Sequence, residues 1–211
     1  MQRITVLLVD DHAVMRMGLA SLLGTCRELE VVGDAGDSES GIRKALRLHP
    51  DVVIMDLLMP EMDGTETTRQ LLAKWPEAKV LVLTTLGTSD AFARALDAGA
   101  RGAILKSADL EELRKAIASV AAGKRYVSEE IEQIMTEDPP IAELSARQKQ
   151  ILEAICRGLS NADIARQLGI SVPVVKEHLN VLFSKIGAAN RTEAVAIALK
   201  RQLLGIHPQQ I

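Results

Sequence analysis

Short apolar runs that end in a charged side chain are the feature of this sequence that most restricts its fold. Asp10 and Asp11 follow the mostly apolar run Ile4–Val9. Asp56 and Lys106 follow two later runs in the same way. Buried strands of parallel sheets are nearly continuous apolar runs, and such sheets bind ligands at the carboxyl ends of their strands. The pattern predicts a parallel sheet with three carboxylates and one ammonium along that edge.

Strands and helices are predicted to alternate through the first 123 residues. The apolar runs predict strands at 4–9, 30–34, 51–55, 79–84 and 101–105. Helix-period segments lie at about 12–24, 38–48, 64–75, 88–98 and 109–122. Such βα units predict an α/β fold with a doubly wound, five-stranded parallel sheet and helices on both faces.

The sequence changes character after residue 123. Residues 124–143 are acidic and contain Pro139-Pro140, so they are predicted to be a linker with one short helix at about 129–135. Residues 144–211 carry helical patterns and are predicted to form an all-α domain of four helices. Two domains are therefore expected, the first covering residues 1–123.

Start and stop signals delimit the four helices of the last region. The pairs with capping-box spacing or a close variant of it are Ser145 with Gln148, Ser160 with Asp163, and Asn190 with Glu193. The glycines expected to end helices are Gly158, Gly169 and Gly187. Ser171 is predicted to cap the third helix, and the tight connection before it is typical of a helix-turn-helix.

Charge differs between the two regions, although the net charge of the whole chain is only −3. Residues 1–123 carry 14 Lys and Arg against 18 Asp and Glu, whereas residues 141–211 carry 9 against 5. Only the last region is therefore expected to bind a polyanion.

Cysteine spacing and hydropathy favour a cytoplasmic protein. Cys26 and Cys156 are lone cysteines without paired spacing, as expected for thiols in a reducing compartment. The first apolar run is broken at Asp10, unlike a signal peptide, and no stretch approaches the ~20 apolar residues of a membrane span. No membrane partner is expected.

The acidic edge has the residue types for phosphoryl chemistry. The carboxylate of Asp56 can attack a phosphoryl donor to give an acyl phosphate. Mg²⁺ prefers one or two carboxylates with phosphate oxygens and water, which Asp11, Asp56 and a water-bridged Asp10 could supply. Lys106 would hold a phosphoryl oxygen as a point charge.

Motifs in this region resemble the receiver domain of two-component response regulators over about residues 3–122. The matching segments are Val9-Asp10-Asp11-His12, Met55-Asp56-Leu57-Leu58-Met59-Pro60 with Asp63-Gly64, Leu83-Thr84 and Leu105-Lys106. The resemblance implies that Asp56 accepts phosphate from a sensor histidine kinase. It implies Mg²⁺ ligands at Asp10, Asp11, Asp56 and the backbone carbonyl of Leu58. It also implies that Thr84 and Lys106 contact the phosphoryl group.

This sequence departs from the receiver pattern at two places. Many receivers have an aromatic residue three positions before the lysine, and here that position is Ala103. The signal is therefore expected to leave the site by another route. Leu58 and Leu86 stand two residues beyond Asp56 and Thr84, which leads to the hypothesis that apolar side chains there retard hydrolysis of the acyl phosphate.

The third predicted helix of the last region, at about 172–187, has an inward apolar stripe and an outward polar face. The stripe consists of Val172, Val175, Leu179, Leu182, Phe183 and Ile186, and the outward residues are Lys176, Glu177, Asn180 and Ser184. A helix of this kind after a tight turn fits the DNA major groove, with Arg166, Lys185 and Arg191 placed to meet phosphates. A solvated face of a helical bundle is the alternative on composition alone.

Motif order in residues 144–204 resembles the LuxR-type helix-turn-helix. The matching segments are Leu144-Ser145-Ala146-Arg147-Gln148, Gly158-Leu159-Ser160-Asn161, Leu168-Gly169-Ile170-Ser171, Val175-Lys176-Glu177-His178-Leu179 and Asn190-Arg191-Thr192-Glu193-Ala194. With the receiver, this combination resembles the NarL/FixJ class of response regulators. The resemblance implies a DNA-binding transcription factor, not an enzyme, whose phosphorylation frees the helix-turn-helix. Glu177 and Val174 differ from the common pattern, so operator preference is expected to differ too.

A low domain charge predicts weak, salt-sensitive binding of DNA by one copy. Homodimers on inverted or direct half-sites are the expected solution, with the apolar positions of the last helix, 193–204, as a candidate dimer surface. Two alternatives remain at this stage. One is a constitutive DNA-binding protein whose receiver only dimerises, and the other is an aspartyl-phosphate phosphohydrolase.

Overall fold

The computed structural model describes residues 3–59, 63–85, 88–141, 144–201 and 203–204. Every apolar run predicted to be a strand lies in one sheet. Its strands are β1 (Ile4–Val9), β2 (Leu29–Ala35), β3 (Val52–Met55), β4 (Val80–Thr84), β5 (Gly102–Leu105) and β6 (Tyr126–Val127). They lie in the order β2-β1-β3-β4-β5-β6, and each neighbouring pair is parallel. The prediction of a doubly wound α/β fold is confirmed.

Helices cover both faces of this sheet. They are α1 (Ala13–Gly24), α2 (Ser38–Leu48), α3 (Gly64–Lys74), α4 (Ser89–Asp97), α5 (Leu110–Ala121) and α6 (Glu129–Glu137). Leu7 and Val9 of β1 pack on the face of α2, α3, α4 and α6, whereas Val6 and Leu8 pack on the face of α1 and α5. Successive side chains point to opposite faces, so burial on both sides requires continuous apolar runs.

Strand β6 corrects the prediction of a five-stranded sheet, because six strands lie in the described residues. It comes from the predicted linker and pairs with β5 through Gly102 opposite Tyr126 and Ala103 opposite Val127. A β-carbon on Gly102 would lie 2.7 Å from the carbonyl oxygen of Tyr126, so the absence of a side chain permits this close approach. A strand of two residues is too short to be recognised from an apolar pattern.

Helix α6 packs with the sheet as well. Ser128 caps it by accepting a hydrogen bond from the backbone N–H of Ile131. Ile131 is fully buried in the same apolar cluster as Ala103. The short helix predicted here is present, but residues 124–138 belong to the first of two compact units, Met1–Asp138, rather than to a linker that begins after residue 123.

The described part of the second unit, Pro139–Ile211, is helical as predicted. The helices of its described part are α7 (Ala146–Cys156), α8 (Asn161–Leu168), α9 (Val172–Ile186) and α10 (Arg191–Lys200). They surround one apolar core, to which α9 contributes Val175, Leu179, Leu182 and Ile186. Among the helices of the described ranges, none is long and apolar enough to cross a bilayer.

Capping explains where most of these helices begin and end. Side chains that accept the predicted backbone hydrogen bond belong to Ser145, Ser160 and Asn190, and Ser145 completes a capping box with Gln148. Ser171 occupies the N-cap position of α9 as predicted, but its side chain makes no capping hydrogen bond there. Pro173 lies in the first turn of the helix, where its missing N–H is tolerated. Gly169 and Gly187 end α8 and α9 with positive φ angles of 65° and 73°.

Replacement of Ile131 by alanine tests whether α6 is part of the folded first unit. The cavity left by a fully buried side chain is expected to lower the free energy of unfolding by about 2–5 kcal/mol. Glu132→Ala changes an exposed position of the same helix and is expected to stay within about 0.5 kcal/mol of wild type. Urea unfolding followed by circular dichroism measures both. Equal, small effects would show that α6 contributes no packing.

Candidate functional site

Three predicted site residues meet at the carboxyl edge of the sheet. Val9 of β1 lies opposite Met55 of β3, so the next residues, Asp10 and Asp56, stand side by side. Lys106 follows β5, and its Nζ lies 2.5 Å from Asp10 Oδ2 and 2.8 Å from Asp56 Oδ2. The side chains of Lys106, Asp10 and Asp56 are only 5%, 4% and 2% exposed, respectively. The ammonium therefore joins two carboxylates in a site almost closed to solvent.

Burial and the ammonium act in opposite directions on the pKa of Asp56. Burial raises the pKa of this carboxyl above its ordinary value, and the hydrogen bond and charge of Lys106 offset part of the rise. Burial alone would lower the pKa of Lys106, but its hydrogen bonds to Asp10 and Asp56 and their charges together raise that pKa. The lysine therefore remains charged between the carboxyl groups.

The carboxylates of Asp10, Asp11 and Asp56 form a donor set that fits a divalent cation. Ligand atoms from these residues and from His12 lie within 4.8 Å of one another. Asp11 Oδ1 is buried and accepts no hydrogen bond. His12 Nδ1 is 2.8 Å away, but this contact is an ion pair only when the exposed imidazole is protonated. A buried oxygen without a hydrogen bond is costly, and Mg²⁺ prefers oxygen ligands.

Other predicted residues lie on the segments beside these carboxylates. Leu58 donates its backbone N–H to Asp56 Oδ1 at 3.2 Å, so the loop after β3 runs along the carboxylate. Thr84 is buried at the end of β4, and its carbonyl accepts the backbone N–H of Lys106 at 2.7 Å. Leu86, which the hydrolysis hypothesis also involves, lies outside the described residues.

Gly64 determines how closely α3 approaches the site. A β-carbon at this position would lie 2.0 Å from the carbonyl oxygen of Asp56 and 2.9 Å from Cα of Leu57. Both obstacles are backbone atoms, which cannot rotate away as a side chain can. The sequence marks Gly64 as the start of a helix, and the structure adds that the helix begins against the backbone of Asp56.

Sequence reasoning missed Arg16. This residue of α1 donates from Nη1 to the carbonyl oxygen of Asp10 at 2.7 Å and from Nε to Asp34 Oδ2 at 2.9 Å. A single arginine on an amphipathic helix is usually a surface charge, so the sequence contains no signal strong enough to single it out. The contact appears only when α1 is folded back onto the ends of β1 and β2.

Ala103, where many receivers have an aromatic residue, is fully buried. Its carbonyl accepts the backbone N–H of Ser128 at 3.2 Å. It shares an apolar cluster with Phe92 of α4 and Ile131 of α6. The position therefore lies beneath the β6–α6 segment, which packs against both β5 and α4.

Helix α9 of the second unit presents the predicted polar face. The exposed predicted residues are Lys176, Glu177, Asn180 and Ser184. Val175, Leu179, Leu182 and Ile186 are buried, whereas Val172 and Phe183 of the predicted stripe are half-buried. Two apolar residues, Val174 and Val181, are also exposed on this helix, by 37% and 53%. The exposed surface therefore combines charged, amide and aliphatic groups.

The three basic residues predicted beside that face have different surroundings. Arg166 is exposed and pairs with Asp163 at 3.1 Å. Lys185 Nζ lies 3.4 Å from Gln148 Oε1. Arg191 is half-buried and donates from Nη2 to the carbonyl oxygens of Ile155 and Leu159, which lie at the end of α7 and just after it. Arg191 thus braces the turn between α7 and α8.

Apolar residues of α10 beyond its inward face are packed within the second unit. Ala194 and Ala198 are buried, and Val195 and Ile197 are half-buried against the same core. The helix ends at Lys200, earlier than predicted. Packing within the unit therefore accounts for much of the apolar excess that suggested a dimer surface.

Two family models match the chain. Residues 6–118 match the response regulator receiver domain, and residues 142–198 match the luxR family of bacterial regulatory proteins. The response regulator protein VraR of Staphylococcus aureus is 36% identical over 206 residues, which cover 95% of this chain and 99% of VraR.

Solved structures of response regulators resemble most of the chain. ChrA, from a haem-sensing two-component system, has a TM-score of 0.58 at 38% identity, covering 96% of this chain and 100% of that chain. A structure of two RcsB dimers bound to two parallel DNAs has a TM-score of 0.69 at 25% identity, covering 95% of this chain and 99% of that chain.

Replacement of Gly64 by alanine tests the close approach of α3 to the Asp56 backbone. Displacement of backbone atoms is expected to lower the free energy of unfolding by at least about 1–3 kcal/mol. Gly18→Ala provides the control, since a β-carbon at this α1 position meets nothing within 4 Å. That change is expected to be neutral or stabilising by up to about 1 kcal/mol. Thermal and urea unfolding compare the variants, and equal stabilities would contradict the predicted clash.

Proposed function

The chain belongs to the two-component response regulators that join a receiver domain to a LuxR-family domain, and we propose that phosphorylation of Asp56 controls its binding to DNA. The observation that carries this proposal is the buried contact of Lys106 with both Asp10 and Asp56. It provides a carboxylate nucleophile with a fixed cation beside it. The second unit provides a separate, exposed polar face on α9.

The proposed reaction is phosphoryl transfer from a sensor histidine kinase. A carboxylate oxygen of Asp56 forms a bond to phosphorus while the phosphorus–nitrogen bond of a phosphohistidine breaks and the imidazole leaves. Lys106 would form an ion pair with the charged phosphoryl oxygens. The hydroxyl of Thr84 would donate a hydrogen bond to one of these oxygens. We propose that the protein acts as a regulator rather than as an enzyme that turns over a separate substrate.

Mg²⁺ is the proposed cofactor of this transfer. Asp10, Asp11, Asp56 and the carbonyl of Leu58 would hold it, and the buried Asp11 Oδ1 without a hydrogen bond supports this assignment. When bound, the ion supplies charge that offsets repulsion between the carboxylate and the phosphoryl donor. In its absence, the single positive charge of Lys106 offsets only part of the negative charge of the Asp10 and Asp56 carboxylates.

Helix α9 is the proposed DNA-reading element. Lys176, Glu177, Asn180 and Ser184 would face base edges or nearby phosphates, and the exposed Val181 can contact a thymine methyl group. We propose that activated homodimers bind paired half-sites, because one weakly basic domain binds DNA poorly. The cytoplasm is the proposed location, consistent with the free thiols of Cys26 and Cys156.

The β6–α6 segment is the proposed exit route for the signal. Thr84 lies at the end of β4, directly before the segment that leads to α4, and α4 packs against α6. Helix α6 ends at Glu137, beside the boundary between the units. A movement of α4 would therefore first change the packing of Ile131 in α6, and the signal would pass from α6 to the second unit. This route requires no aromatic side chain at Ala103.

Asp56→Asn tests the proposed control of DNA binding. With Mg²⁺ and acetyl phosphate, the wild-type protein is expected to bind DNA roughly 5- to 150-fold more tightly, the range of a 1–3 kcal/mol coupling. DNA selected from random sequence in the presence of phosphodonor supplies the probe for fluorescence anisotropy. Asp56→Asn should lose the increase, whereas the exposed control Asp97→Asn should keep it. If the wild-type protein binds DNA equally tightly with and without the phosphodonor, the result would support the constitutive alternative.

Arg166 and Arg191 are expected to differ when each is changed to alanine. Arg166→Ala should leave the free energy of unfolding within about 1 kcal/mol of wild type, because the ion pair of Arg166 is exposed. It should also reduce the salt dependence of DNA binding by the equivalent of about one phosphate contact. Arg191→Ala should lower the free energy of unfolding by about 1–3 kcal/mol, because two carbonyls lose a charged donor. Urea unfolding and salt titrations of DNA affinity separate the two roles. A stable Arg191→Ala protein with a reduced salt slope would assign Arg191 to phosphate binding.

Hydrogen exchange of α6 tests the proposed exit route. Amides of residues 131–137 should exchange faster after phosphorylation, while amides of α2, which lies elsewhere on the sheet, should be unchanged. Mass spectrometry of the full chain with and without acetyl phosphate measures both. Unchanged exchange in α6 together with increased DNA binding would assign the signal to another route.

A further inference from the structure

We infer that Arg16 is a positioning residue of the phosphoryl site, which orients the Asp10 and Asp11 carboxylates toward the cation. The inference rests on the proposed function, because it concerns the same carboxylates. Arg16 itself reaches no carboxylate of the site. It acts on the backbone that carries them, through the carbonyl oxygen of Asp10.

Three contacts hold the Arg16 guanidinium in place. Nη1 donates to the carbonyl oxygen of Asp10 at 2.7 Å, and Nε donates to Asp34 Oδ2 at 2.9 Å. A β-carbon on Gly36 would lie 3.2 Å from Nη1, so the guanidinium packs directly against the Gly36 backbone. The Arg16 side chain is only 18% exposed. One side chain of α1 thus connects the ends of β1 and β2.

The carbonyl of Asp10 is a sensitive point of the site. The Asp10 side chain is held separately, because Oδ2 contacts Lys106 and Oδ1 accepts the backbone N–H of His12 at 2.7 Å. Asp11 is held less firmly, since its buried Oδ1 accepts no hydrogen bond and is contacted at 2.8 Å by Nδ1 of the exposed His12 imidazole, an ion pair only when that ring is protonated. The direction of the Asp11 side chain therefore depends on the peptide between Asp10 and Asp11, whose oxygen Arg16 binds.

A purely electrostatic role and a positioning role of Arg16 predict opposite effects of its removal on the affinity for a cation. Loss of a nearby positive charge would strengthen the binding of a cation, because the local potential becomes more negative. Loss of the hydrogen bond to the Asp10 carbonyl would weaken cation binding, as removal of outer-shell partners of metal ligands commonly does by 10–100-fold. The sign of the change in Mg²⁺ affinity therefore distinguishes a positioning role from a purely electrostatic one.

Isothermal titration of the full-length protein with Mg²⁺ provides the test. Arg16→Gln is expected to raise the Kd for Mg²⁺ roughly tenfold or more. Asp34→Asn removes the ion pair but keeps the donor to the Asp10 carbonyl, so its Kd is expected to stay close to wild type. Gly36→Ala keeps the charge of Arg16 but pushes a β-carbon toward Nη1, and it is expected to raise the Kd in the same direction as Arg16→Gln. Gly36→Ala also serves as the test if Arg16→Gln does not fold.

Several outcomes would overturn the inference. An unchanged or lower Kd in Arg16→Gln, with or without a loss of thermal stability, would make Arg16 a structural or purely electrostatic residue. An unchanged Kd in a folded Gly36→Ala protein would also count against it. If the wild-type protein itself fails to bind Mg²⁺, the proposed function fails with the inference. If the wild-type protein binds Mg²⁺ and accepts phosphate while Arg16→Gln binds equally well, only the inference fails.

Discussion

The chemistry of the first unit depends on one interaction, the contact of the Lys106 ammonium with the carboxyl groups of both Asp10 and Asp56. Parallel pairing of β1 and β3 places the two aspartates side by side in a region almost closed to water. Two carboxylates buried together repel each other and lose hydration. A single lysine bonded to both offsets these costs. In the proposed phosphorylated state, the same lysine would exchange one of these partners for an oxygen of the phosphoryl group.

Several parts of the fold bring backbone, rather than only side chains, to this site. Gly64 allows α3 to begin against the carbonyl of Asp56, and Arg16 binds the carbonyl of Asp10. At the β6 edge of the sheet, Gly102 allows β6 to pair with β5 and so brings α6 over Ala103. Close approach at these points makes the position of each loop depend on its neighbours. A change of charge at Asp56 can therefore alter packing at a distance.

Much of the architecture was predictable because it depends on local patterns. Continuous apolar runs located β1 to β5 to within one residue at every end, and the helix signals located α2 and α8 closely. The charged residues after β1, β3 and β5 indicated the site, because the carboxyl ends of parallel strands share one edge. Local patterns failed for β6, where two residues carry no periodicity. They located Ser171 at the N-cap of α9 but not the absence of a capping hydrogen bond from its side chain.

The sequence by itself determined the order of the elements, the acidic edge and the exposed polar face of α9, since each follows from the spacing of side chains along one segment. Only the tertiary structure decided that Lys106 reaches both aspartates across β4, that Arg16 binds a backbone carbonyl and that Arg191 braces α7. These contacts join residues far apart in the chain. Hydrogen bonds to backbone carbonyls leave no mark in the sequence, because every residue has a carbonyl and only folding selects which one a donor meets.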